Sequence, residues 1–77
     1  MIFETIRDII CEQFEKPKDS ITENTRFLED LGADSLDVVE MAVSIEDAFS
    51  LGEIDSDELG NIRTVGDLVA YVTSAKG

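Results

Sequence analysis

The stretch Asp34-Ser35-Leu36-Asp37-Val38-Val39-Glu40-Met41-Ala42-Val43-Ser44-Ile45-Glu46-Asp47-Ala48-Phe49 decides the fold. At about 100° per residue, Val38, Met41, Ala42, Ile45, Ala48 and Phe49 fall on one side of a helix. Leu36, Val39 and Val43 fall on nearly the opposite side, flanked by Glu40, Glu46 and Asp47. Asp34 is placed to cap this helix, and Asp37 adds negative charge to its first turn. Ser50-Leu51-Gly52 ends it, with Gly52 available for a left-handed residue.

Outward from this helix the pattern is helical again. Phe3, Ile6, Ile10 and Phe14 are spaced 3, 4 and 4 apart, Ile9 widens their stripe, and Pro17 stops the run. Val65, Leu68, Val69 and Val72 repeat at i, i+3, i+4 and i+7 behind a Thr64 cap with Asp67 at its third position. A short turn of helix is expected around Asp57–Leu59. Between Lys18 and Ala33 the period is lost, and Asp19, Ser20, Thr22, Asn24, Thr25 and Gly32 mark a long ordered loop. Ile21, Phe27, Leu28 and Leu31 are expected to pin it to the core. No run reads as a strand. The expected fold is all-α: three main helices, one short helix and a long loop between the first two.

Composition narrows the function. The chain has 77 residues, enough for one small domain spanning 1–77 and too few for a cleft enzyme. It has 18 acidic and 6 basic residues, a net charge of −12, which argues against a nucleic-acid binder and for basic partner surfaces. Charge of this size on a small surface predicts a fold that loosens at low ionic strength and tightens with salt or Mg²⁺. Cys11 is the lone cysteine, and its acidic neighbours Asp8 and Glu12 favour a buried structural thiol. Met1-Ile2-Phe3-Glu4 lacks the basic and apolar regions of a signal peptide, and no segment is long enough to span a membrane. A cytoplasmic protein without stable membrane insertion is expected.

A domain this small has too little mass to bury one helix on both sides, so the Leu36/Val39/Val43 stripe is expected to be at least partly exposed as a docking surface rimmed by carboxylates. Coverage by Phe27 or Leu28 from the long loop is the alternative. Ser35 stands at the amino end of the same helix. The chain has no His, so a Ser-His nucleophile is impossible. A serine that is presented but not activated reads as an attachment point, and a helix start tolerates an anionic group on its side chain. As a plain cap, Ser35 would do no more than start the helix.

The run Asp30-Leu31-Gly32-Ala33-Asp34-Ser35-Leu36-Asp37, with Val39-Glu40-Met41, Ile45-Glu46-Asp47-Ala48-Phe49 and Ile62-Arg63-Thr64-Val65-Gly66-Asp67, resembles the acyl carrier proteins of type II fatty acid synthesis. The resemblance covers nearly the whole chain. It implies the small four-helix carrier bundle, with Ser35 holding 4′-phosphopantetheine transferred from coenzyme A by a Mg²⁺-dependent transferase. Asp34, Ser35 and Leu36 would form the transferase's recognition core. Asp37, Glu40 and Glu46 or Asp47 would supply an acidic docking face for synthesis enzymes with basic patches, and Leu36, Val39 and Val43 its apolar part. Met41, Ile45, Phe49, Ile54, Ile62 and Val72 would shelter an acyl chain, or form plain core. The implied protein is a monomeric carrier with no metal centre and no catalysis of its own. A carrier for polyketide, specialised-lipid or aminoacyl cargo is a second reading, and an unmodified acidic interaction or cation-binding protein a third. The segment Ser50–Asp55 is one residue longer than the common pattern and has Asp55 where Pro often follows the Ile. The acidic run Asp55-Ser56-Asp57-Glu58 lacks the spaced ligands of a strong calcium loop.

Overall fold

The computed structural model describes residues 2–76. Among them the order is α1 (Ile2–Phe14), a 3₁₀ turn (Lys18–Ser20), α2 (Ser35–Phe49), α3 (Ser56–Asn61) and α4 (Val65–Lys76). The expected helices are all present. The short one is longer than a single turn because Asp55 caps it, its Oδ1 accepting the Asp57 N–H at 3.1 Å. The extended Ile54-Asp55 pair thus starts α3 without a proline.

Helix α1 packs against both α2 and α4. Ile6 and Ile10 meet Met41, Ala42 and Ile45 of α2 and Val65, Leu68 and Val72 of α4 in one buried cluster, which Ile21, Phe27 and Ile54 complete. Cys11 is buried in it as a free thiol. Ala48 differs from expectation: it is exposed, at the edge of the stripe, while its neighbour Phe49 is half-buried against the core. The helix ends in a left-handed residue, and that residue is Ser50 (φ 56°), not Gly52. The Ser50 and Leu51 N–H groups both return to the Glu46 carbonyl.

The long loop is built by backbone pairing. The Phe27 N–H donates to the Arg63 carbonyl at 3.0 Å, and the Val65 N–H donates to the Thr25 carbonyl at 2.9 Å. An isolated antiparallel bridge joins Arg26 to Thr64. Extended backbone alternates its side chains, so Thr25 and Phe27 point inward while Arg26 and Leu28 point outward. Leu28 therefore does not pin the loop: it is 70% exposed, whereas Phe27 is 4% exposed.

Candidate functional site

Three contacts fix the amino end of α2. Asp34 Oδ1 accepts the Asp37 N–H at 2.9 Å, and Asp37 Oδ2 accepts the Asp34 N–H at 3.2 Å, a reciprocal cap. Gln13 Nε2 of α1 donates to the Asp37 carbonyl at 2.8 Å and ties this turn to the core. Ala33 is buried, and its N–H donates to the Phe27 carbonyl, so the chain enters the helix at a set angle.

Ser35 is the first residue of this helix and is exposed. Among the described residues, neither its N–H nor that of Leu36 has a hydrogen-bond partner. Two free donors at a helix start favour an anion on the adjacent hydroxyl. The carboxylates beside Ser35, Asp34 and Asp37, each give one oxygen to the cap, and the chain has no imidazole to activate the hydroxyl. The site presents a hydroxyl without a Ser-His pair.

The outer face of α2 is open. Leu36, Val39 and Val43 are 66%, 51% and 50% exposed, with the exposed carboxylates of Glu40 and Asp47 beside them. Neither Phe27 nor Leu28 covers the stripe, so the alternative of loop coverage fails. Leu28 adds to the exposed apolar surface instead. Glu46 is half-buried, and its Oε2 accepts the Ile54 N–H at 2.8 Å, so it also holds the segment before α3.

A groove of about 740 Å³ opens beside Ser35. Its lining includes Phe27, Leu28, Val38, Gly60, Ile62 and Arg63. A second, of about 600 Å³, lies between α2 and the α3 region, with Val39, Val43, Ile54 and Leu59 in its walls. Of the residues expected to shelter an acyl chain, Ile62 lines the first and Ile54 the second. Met41, Ile45 and Val72 are closed into the core, and Phe49 is half-buried against it.

Leu28 and Arg63 were not singled out by sequence pattern as site residues. The inward-outward alternation of Thr25, Arg26, Phe27 and Leu28 was the available signal for Leu28. Arg63 reaches the groove only through the long-range pairing with Phe27. No helix among the described residues is long and apolar enough to cross a membrane.

The family model for the phosphopantetheine attachment site matches residues 4–72. The chain is 53% identical to the acyl carrier protein of Lactobacillus acidophilus over 76 residues, which is 99% of this chain and 94% of the relative. It is 43% identical to the acyl carrier protein of Wolinella succinogenes, covering 97% of each. The solved structure of the acyl carrier protein from Enterococcus faecalis superposes with a TM-score of 0.81 at 31% identity, covering 96% of this chain and 92% of that one.

Proposed function

The chain belongs to the acyl carrier proteins, and on that premise we propose that Ser35 is the residue that holds the 4′-phosphopantetheine arm. As a member of this family it is a carrier and not a catalyst, shuttling acyl intermediates between the enzymes of fatty acid synthesis. When bound, the arm supplies a thiol that holds these groups as thioesters. Its work involves a phosphopantetheinyl transferase, synthesis enzymes and acyl chains.

The observation that carries Ser35 is its setting: an exposed hydroxyl, two N–H groups without a partner among the described residues and an open groove, in a chain without His. The residues of the chain have three tasks in this reading. Asp34 and Asp37 set the angle of the hydroxyl through their mutual cap. Leu36, Val39, Val43 and Leu28 form the apolar part of a docking face, and Glu40 and Asp47 steer basic partner surfaces to it. The groove walls give the arm and its cargo apolar surface to lie against. Docking of this polar kind is brief and salt-sensitive, which suits a shuttle. We place the carrier in the cytoplasm as a monomer, with the unpaired Cys11 thiol in keeping with a reducing compartment.

The test is intact mass after incubation with coenzyme A, Mg²⁺ and a promiscuous phosphopantetheinyl transferase. The wild-type chain is expected to gain one phosphopantetheine and Ser35→Ala none. An equal gain in the variant, or no gain in a folded and unmodified wild-type sample, would overturn the assignment.

A further inference from the structure

We propose that Arg63 is a positioning residue that pairs with the phosphodiester of the arm on Ser35 and lays the arm into the groove between Leu28 and Gly60. The inference rests on Ser35 as the attachment residue and adds a direction to the arm.

Charge is the first argument. A phosphodiester on Ser35 adds a negative charge to a rim that already holds Glu29 and Asp34. Arg63 is the cation in the lining of that groove. The other arginines are engaged elsewhere: Arg7 lies 3.2 Å from Asp8, and Arg26 lies 3.1 Å from Asp30 and 3.4 Å from Glu29. Among the described residues, no carboxylate comes within ion-pair distance of the Arg63 side chain. The nearby Asp67 accepts the Arg63 and Thr64 N–H groups on one carboxylate oxygen at 3.0 and 3.2 Å, and the Arg63 charge acts on it as a smaller effect from beyond ion-pair distance. The guanidinium is exposed and has fork geometry suited to phosphate oxygens.

Position is the second argument. The Arg63 carbonyl accepts the Phe27 N–H, so its backbone is fastened to the loop that carries Leu28. The side chain thus springs from a fixed point in the groove lining, beside that loop. The same lining includes the apolar Val38 and Ile62. Gly60 also belongs to it, within a helix of six residues, where glycine is unfavourable. A Cβ there would meet nothing within 4 Å, so the bundle's own packing does not require the glycine. The groove volume of about 740 Å³ lies in the range of about 300–1,000 Å³ that holds small organic ligands.

The test uses the loaded carrier, with loading checked by mass. On loading, the Nε–Hε resonance of Arg63 is expected to shift while those of Arg7 and Arg26 stay in place. Nuclear Overhauser contacts are expected between the geminal methyls of the arm and Leu28. Arg63→Gln should lose these contacts and Arg63→Lys should keep them, with high salt weakening both the wild-type shift and the contacts. An Arg63 resonance that does not move on loading of the wild-type chain would overturn the proposal without any variant. So would contacts that survive intact in Arg63→Gln. Absence of loading would sink the Ser35 assignment and this inference with it, whereas loading with an unmoved Arg63 would sink this inference alone.

Discussion

Helices α2 and α4 both open on a reciprocal cap, Asp34 with Asp37 in one and Thr64 with Asp67 in the other. In α4 the next two N–H groups are taken: Val65 donates to the Thr25 carbonyl and Gly66 to the Glu23 carbonyl at 2.8 Å. Val65 is fully buried, and the loop lies so close that a Cβ on Gly66 would stand 3.0 Å from the Glu23 oxygen. In α2 the corresponding groups, on Ser35 and Leu36, meet no partner among the described residues, and both side chains face out. The same local code thus yields a sealed joint at one end of the bundle and an open site at the other. What separates them is the long loop, which closes over α4 and leaves α2 bare.

The largest expected contrast lies in stability. Leu68→Ala on α4 empties a fully packed position and is expected to cost about 2–5 kcal/mol. Val43→Ala on the open face of α2 should stay within about 0.5 kcal/mol. Chemical denaturation of both variants measures this, and equal losses would break the distinction between a packed and an open face. Next comes docking itself. Glu40→Lys is expected to raise the KM of a partner synthase several-fold with kcat and melting temperature nearly unchanged; a changed melting temperature with an unchanged KM would give Glu40 a structural task instead.

Closure of the α4 end can be probed directly. Gly66→Ala is expected to destabilise by about 1 kcal/mol, since crowding of the Glu23 backbone exceeds the gain in helix propensity. Hydrogen exchange should be slow at the Val65 and Gly66 amides and fast at Ser35 and Leu36 in the unmodified protein. Fast exchange at all four would erase the comparison.

The smallest effect concerns pH. The N–H groups of Arg63 and Thr64 hold the Asp67 carboxyl below its ordinary value of 3.8. A carboxylate with a lowered folded-state pKa adds stability above its unfolded value and loses it as pH falls through the folded one. The stability difference between wild type and Asp67→Asn is therefore expected to be flat at neutral pH and to shrink only below about pH 3.8. A difference that shrinks near neutrality would contradict this.

The helices were legible in the sequence because their signals are local. The period of Phe3–Phe14, the caps at Asp34 and Thr64, and the stop at Pro17 each span a turn or two. The exposed stripe of α2 was legible for the same reason, from helical angles alone. The loop was not, because its side chains are aimed by pairing across a long stretch of chain. Leu28 was expected on the core and lies in solvent because Phe27 and Arg63 pair through their backbones. Ser50 takes the left-handed turn expected of Gly52 because it directly follows the last helical residue, Phe49. Ala48 lies at the edge of the apolar stripe and is exposed.

The most direct test of the account is peptide mapping of the loaded carrier by mass spectrometry. The chain has six serines, at 20, 35, 44, 50, 56 and 74, and Ser35 is the one at the unsealed start of α2. The account predicts that the phosphopantetheine mass is confined to the peptide containing Ser35. Its recovery on a fragment that lacks Ser35 would contradict it.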